Sequence, residues 1–378
     1  MSPHSDAPSP IYNFDQMTTE MAFTSPIGSG LRTSNSSIDA DSSSQDSDSF
    51  SNTSVDTEDH IVRPLVSGVY VPTVCFFHAK SEDLDLVTIA AHAVRLAQAG
   101  VAGIATQGSN GEAVHLSHSE RQLVTSTTRK ALNGAGFENF PIIVGCGAQS
   151  TREAIQYCRE AAIAGGDYAL VLPPNYYAPL FAPNSRSIVE FFIAVADASP
   201  IPLVIYNYPG AVSGLDLNSD IIIELSQHPN IVGVKLTCGN TGKLNRIVAA
   251  TKSSCKVRLV DQPEFLVLGG SADFTLQSLV GGGHGILAGL ANLAPKACIE
   301  TIRLYRSGDL EGARKLQEIV ARGDWAAIQG GIVGTKAGME AHLGYGGYAR
   351  SPLPRPTTDE TTRWAGMFKE LMMLEKRI

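Results

Sequence analysis

Cysteine is scarce and never closely paired in this sequence. Cys75, Cys146, Cys158, Cys238, Cys255 and Cys298 are scattered, with no CxxC among them. That spacing argues against a zinc ribbon, a redox dithiol and a secreted disulfide framework, and leaves the six as ordinary buried or half-buried thiols of a reducing compartment. Apolar runs are short as well: none approaches the ~18 residues needed to span a bilayer, so no membrane partner is expected. The nine histidines show no HxxxH or HExxH spacing and no clustered acids, which disfavours a bound metal. Beyond residue 64 there is no excess charge of either sign. Ten of the 37 acidic residues but only Arg32 and Arg63 of the 29 basic ones precede that point. A neutral body with an acidic leader offers no surface for a phosphate backbone, so nucleic acid is not an expected partner.

What is present divides the 378 residues into three regions. Residues 1–64 form the first, in which Ser34 to Asp59 holds ten Ser, six Asp and no Lys or Arg. Such a stretch cannot bury enough apolar surface to offset its ordering entropy, so a disordered tail is expected. It lacks the apolar core of a signal peptide and the arginine-rich amphipathic pattern of a transit peptide, and a cytoplasmic location is the expectation. In the second region, residues 65–295, short Val/Ile/Leu-rich runs alternate with stretches of helical period. Eight strands are predicted: Val69 to Phe77, Val101 to Gln107, Pro141 to Gly147, Tyr168 to Pro173, Pro202 to Tyr208, Ile231 to Leu236, Val257 to Asp261 and Gly283 to Ala288. Ser117, Ser150 and Ser187, each followed three residues later by Glu, read as helix caps. Continuous apolar strands separated by helices require a parallel sheet covered on both faces. Eight such units predict an α/β fold, a closed (β/α)8 TIM barrel. No GxGxxG follows the first strand, which weakens an open nucleotide-binding sheet. Residues 296–378 read as a C-terminal helical appendage, with helices near Pro295 to Arg306, Leu310 to Arg322, Trp325 to Leu343 and Thr358 to Lys376.

In a barrel of this kind, chemistry belongs at the C-terminal ends of the strands, and three ends carry suitable residues. Strand two runs into Gly108-Ser109-Asn110-Gly111-Glu112, a glycine-bracketed turn that can offer N–H groups and the Ser109 hydroxyl to a carboxylate. Strand five ends in Tyr206-Asn207-Tyr208-Pro209-Gly210, which puts a phenol at the barrel mouth. Strand six, Ile231 to Leu236, contains Lys235 inside an apolar run. An ammonium there would lose hydration, and a neutral amine is a nucleophile toward ketones. A carboxylate cradle, a proton-relaying phenol and a desolvated lysine on neighbouring strands are what Schiff-base chemistry on a 2-oxo acid requires.

These residues carry a resemblance. From about Gly68 onward the chain resembles the dihydrodipicolinate synthase and N-acetylneuraminate lyase superfamily, whose pattern is a GxxGE loop, a YNxP turn and a GxK strand. The resemblance implies that Lys235 forms an imine with pyruvate, that Tyr206 relays protons, and that Gly108, Ser109 and Asn110 hold the carboxylate. It further implies substrate contacts at Gly270 and Leu287, a tyrosine crossing a tight dimer interface (Tyr176, or alternatively Tyr177), a homotetramer built from such dimers, and no cofactor. Synthases that take aspartate semialdehyde place an arginine five residues after the YNxP tyrosine. This chain has Ala211 there, so the carboxylate clamp is lost. The loop Gly108 to Leu116, Tyr206 to Val212, Thr237 to Lys243 and Asp273 to Gln277 resemble fungal 2-keto-3-deoxy-L-galactonate (L-threo-3-deoxy-hexulosonate) aldolases. The stretch Ser226 to Gly233 resembles 4-hydroxy-2-oxoglutarate aldolases. The implied activity is a class I, Schiff-base aldolase cleaving a small-molecule 2-oxo acid, a 2-keto-3-deoxy sugar acid with 2-keto-3-deoxy-L-galactonate the expected one, to pyruvate and glyceraldehyde. The alternatives are 4-hydroxy-2-oxoglutarate cleavage, a Schiff-base dehydratase, or a catalytically silent barrel acting as an interaction protein.

Two glycine–lysine stretches, ending at Lys243 and Lys336, suggest phosphate loops but lack the GxxxxGK[ST] spacing and read as turns and helix starts. His115 and His284 flank strand ends, where they could touch substrate, but solvent-facing or structural roles are the favoured reading.

Overall fold

The structure is a computed structural model and describes residues 63–181, 185–252 and 264–378. The expected tail and the predicted strand Val257 to Asp261 lie outside these residues.

Eight parallel strands close into a barrel in sequence order, each pairing with the next and β1 with β8. They are β1 (Gly68–Pro72), β2 (Gly103–Thr106), β3 (Ile142–Gly145), β4 (Tyr168–Val171), β5 (Leu203–Asn207), β6 (Ile231–Leu236), β7 (Leu266–Gly269) and β8 (Gly285–Leu287). The helices of the barrel are α1 (Leu86–Gln98), α2 (His118–Gly134), α3 (Thr151–Ile163), α4 (Ala178–Phe181), α5 (Ser185–Ala198), α6 (Ser219–Leu225), α7 (Thr241–Thr251) and α8 (Thr275–Val280). Three more follow: α9 (Pro295–Arg306), α10 (Leu310–Leu343) and α11 (Thr358–Glu375).

Alternation along the strands sorts side chains between two environments. Tyr70, Ala105, Ile143, Leu170, Val204, Tyr206, Val232, Leu268 and Leu287 fill the barrel interior. Their neighbours in sequence, such as Val69, Val71, Ile205 and Val267, pack outward against the helices. The strands are shorter than expected because the ends of the apolar runs turn away as loops. Thr73 to Phe77, for example, leave the sheet after Pro72.

Several helix boundaries follow local chemistry. Ser117 and Glu120 form a complete capping box on α2, and Ser150 accepts from the Glu153 N–H on α3. Ser187 does not cap: α5 is already helical at Ser185, so Ser187 lies in its first turn. The expected pair of helices from Leu310 to Leu343 is interrupted at Gly331 rather than near Gly323. Gly331 has φ 53° and ψ −149°, a conformation open to glycine, whereas Gly323 and Asp324 stay helical and buried.

The helix α10 meets the loop after β7 and the start of α8 with polar side chains. Gln317 accepts from the Leu276 N–H and donates to the carbonyls of Ala272 and Asp273. Asp324 accepts from the Ala272 and Asp273 N–H groups, and burial beside Asp273 pushes its carboxyl up to about 7. Together they fix the loop after β7. No helix among the described residues is long and apolar enough to cross a membrane.

Candidate active site

Strict alternation counted from Val232, which points in, would turn Lys235 away from the interior, yet Val234 and Leu236 pack outward with the helices and leave Lys235 facing in. A bulge accounts for this. Leu203 pairs with Ile231 but Val204 pairs with Gly233, so Val232 is an extra residue on β6. The shift brings Lys235 opposite Tyr206. Lys235 is only 4% exposed, and its Nζ lies 4.0 Å from the centroid of the Tyr206 ring. Among the described residues it has no carboxylate partner. A lone amine on an aromatic face inside a barrel is an uncommon arrangement for a structural lysine.

Tyr206 is buried and lies in a stacked arrangement with Tyr208, with centroids 5.8 Å apart and planes at 22°. Its neighbour Asn207 donates to Asp216 Oδ1 (2.8 Å) and accepts from the Leu217 N–H (3.0 Å), and Lys243 pairs with the same carboxylate. Lys243 therefore braces the loop after β5, which accounts for the first glycine–lysine stretch.

Tyr206 also lines a cavity of about 280 Å³ with Gly108, Ser109, Leu172, Arg121 and Ala211. Its rim is the loop after β2. Within that loop the Gly111 N–H donates to Gly108 O (3.0 Å) and the Glu112 N–H to Ser109 O (3.2 Å), closing tight turns. The N–H groups of Ser109 and Asn110 donate to nothing among the described residues, which leaves two adjacent donors for an anion. Asn110 lies against the end of β8, where a Cβ on Gly289 would fall 2.5 Å from its amide nitrogen. Gln107 and Glu112, which flank the turn, both have positive φ (48° and 52°), a cost that clusters at functional loops.

Ser109, Gly108, Tyr206 and Ala211 thus share one cavity, with Lys235 against Tyr206. Leu287 lies in the interior cluster that contains Tyr206. Gly270 follows β7 and donates its N–H to Leu236 O (2.9 Å); a Cβ there would come within 2.5 Å of Thr237 Cα, so only glycine fits beside the end of β6. Tyr176 stands apart. It is 78% exposed, its ring meets Tyr177 edge-on at 5.1 Å, and its N–H donates to Gln149.

Two features were not read from the sequence. Arg121 on α2 lines the cavity, its guanidinium lying over the Tyr157 ring and donating to the carbonyls of Ala113 and Gly145. Glu112 is buried in an ion pair with Lys336. The two histidines are structural, as expected: His115 contacts Glu112, and His284 accepts from the Val267 N–H and meets Glu264. The five described cysteines are free, and all but Cys238 are buried.

Residues 65–370 match the dihydrodipicolinate synthetase family. The chain belongs to that family. It is 55% identical over 316 residues to "Probable 4-hydroxy-2-oxoglutarate aldolase, mitochondrial" of Emericella nidulans, covering 84% of this chain and 98% of that protein. It is 49% identical over 314 residues to the L-threo-3-deoxy-hexylosonate aldolase of Hypocrea jecorina, with 83% and 98% covered. The crystal structure of a dihydrodipicolinate synthase family protein of Coccidioides immitis aligns with TM-score 0.71 at 33% identity, over 84% of this chain and 99% of that one. With this family and these relatives, the chain is a lyase of the aldolase type. The expected cytoplasmic location does not stand, because the Emericella nidulans relative is named as mitochondrial. The absence of two targeting patterns does not assign a compartment.

Proposed function

We propose that the protein is a class I aldolase that cleaves L-threo-3-deoxy-hexulosonate to pyruvate and glyceraldehyde, a step of carbohydrate catabolism. The carrying observation is the buried Lys235 amine against the Tyr206 ring, beside a cavity rimmed by Ser109. The Lys235 amine attacks the C2 ketone, and the carbinolamine hydroxyl leaves as water with the proton of the Tyr206 phenol, giving a protonated imine and a phenolate. The Tyr206 phenolate then accepts the C4 hydroxyl proton while the C3–C4 bond breaks, the bond's electron pair passing into the imine to give an enamine as the aldehyde departs. Protonation at C3 and hydrolysis then release pyruvate and the free amine. Throughout, Ser109 and Asn110 hold the C1 carboxylate.

The choice of aldehyde rests on charge. A second substrate carboxylate needs a cation or several donors, since leaving it unpaired in a narrow pocket is costly. Ala211 supplies neither. Arg121, the one cation lining the cavity among the described residues, is already committed to two carbonyls and an aromatic face. A neutral polyhydroxy chain avoids the demand.

The second reading, 4-hydroxy-2-oxoglutarate cleavage, is favoured by the name of the Emericella nidulans relative. Side-by-side kcat/KM values on the two 2-oxo acids decide between them. A preference of about tenfold for the sugar acid, near 1.4 kcal/mol of transition-state discrimination, is expected, and the same preference for the dicarboxylate would replace the first reading with the second.

For assembly, the proposal is a homotetramer of dimers. Tyr176, Tyr177 and Leu180 are exposed large apolar side chains, and they offer a surface for a second copy. Sedimentation at micromolar concentration tests it, with a monomer as the contrary result.

A further inference from the structure

The residue that closes the loop after β2 is anchored from the far end of the chain. Glu112 is held in a left-handed conformation with φ 52°, which a residue other than glycine adopts only when its surroundings impose it. Its carboxylate, 1% exposed, receives three donors. Lys336 Nζ lies 2.7 Å from Oε1, while the Arg350 N–H and His115 Nδ1 lie 2.8 and 3.1 Å from Oε2. Lys336 is equally buried and also donates to Tyr348 O (2.9 Å). The Arg350 guanidinium continues the clasp onto His115 O, Glu82 O and both oxygens of Glu120. Lys336 and Arg350 lie in and just beyond α10, outside the eight barrel units.

We infer that Lys336 is a positioning residue for the aldolase reaction: through Glu112 it fixes the turn whose Ser109 and Asn110 N–H groups face the substrate carboxylate. This rests on the reading that these two residues bind that carboxylate. Two physical effects follow from the one pair. The ion pair keeps Glu112 in a backbone conformation it would otherwise leave, so the two free N–H groups stay adjacent. It also neutralises a carboxylate two residues from Asn110, which without Lys336 would repel the incoming anion across a medium of low dielectric. The helical appendage thus becomes part of the binding machinery. The glycine–lysine stretch ending at Lys336 serves an anion indirectly, by holding the loop that meets it.

The test is condensation kinetics, in which pyruvate and glyceraldehyde have separate KM values and only pyruvate carries the carboxylate. Lys336→Met is expected to raise the KM for pyruvate by about tenfold or more while the KM for glyceraldehyde stays within about twofold. Lys336→Arg, which keeps a cation, should recover part of the loss. Should Lys336→Met fail to fold, Lys336→Gln keeps a polar donor toward Glu112 while removing the cation that neutralises it, and the same split is expected. An unchanged pyruvate KM in these variants, or both KM values rising together, overturns the inference. Ser109→Ala is the companion measurement. If it leaves the pyruvate KM unchanged, the carboxylate-cradle reading itself fails; if it raises that KM while the Lys336 variants do not, only the positioning role is lost.

Discussion

Tyr206 and Lys235 are direct register partners on β5 and β6, and the lysine Nζ rests 4.0 Å from the centre of the tyrosine ring. That pairing exists because Val232 is bulged out of the ladder. In the proposed mechanism the ring and the phenol hydroxyl have separable tasks: the ring supports the amine, and the hydroxyl moves protons.

Tyr206→Phe separates them. The phenylalanine ring keeps the surface under Lys235 and the stacking on Tyr208, so thermal stability should change by less than about 1 kcal/mol. Turnover should fall by about 100-fold or more through loss of the proton relay. A variant with wild-type kcat would assign the relay to another group.

Ala211→Arg tests the basis of substrate choice. Position 211 lines the cavity and is exposed, so a guanidinium fits there without being buried. The ratio of kcat/KM for 4-hydroxy-2-oxoglutarate over the sugar acid should rise by about tenfold, the size of a charge-assisted contact. An unchanged ratio would mean that the absent arginine does not set the preference.

His92 makes the fold acid-sensitive. Asn292 donates its amide N–H groups to Pro72 O and Gly289 O, so its oxygen must accept from His92 Nε2, and His92 Nδ1 in turn accepts from Tyr345. Burial, assisted by Arg95, holds the imidazole at about 3, far below its ordinary 6.5. Between those values the unfolded chain takes up a proton that the native chain does not. Its contribution is complete above pH 6.5 and is lost toward pH 3, at about 1.4 kcal/mol per pH unit. Chemical denaturation of His92→Gln between pH 6 and 4 should show a shallower fall than the wild type; equal slopes would contradict the assignment.

The sequence announced the barrel because parallel strands buried on both faces must be continuous and apolar, and Ile231 to Leu236 was legible residue for residue. The neighbouring unit was not. The seventh strand is Leu266–Gly269, in an apolar run beginning at Phe265 that resembles the start of a helix as much as a strand. The bulge at Val232 was equally hidden, because it is set by pairing with β5 and not by local composition. Lys235 stood out as a charge in an apolar run, whereas Lys336 lay in a glycine-rich stretch and its partner Glu112 is 224 residues away. No local pattern encodes such a pair, although a buried-phase Gln317, Asp324 and Lys336 on one helix was a readable sign that α10 meets polar groups.

The most direct test of the account is borohydride reduction in the presence of pyruvate, followed by intact mass and peptide mapping. The wild-type chain should gain one reduced pyruvyl adduct, mapped to Lys235, while Lys235→Ala and Lys235→Arg fold normally, gain no adduct and do not turn over. An undiminished adduct in Lys235→Ala, or none in the wild type, would contradict imine formation at this lysine.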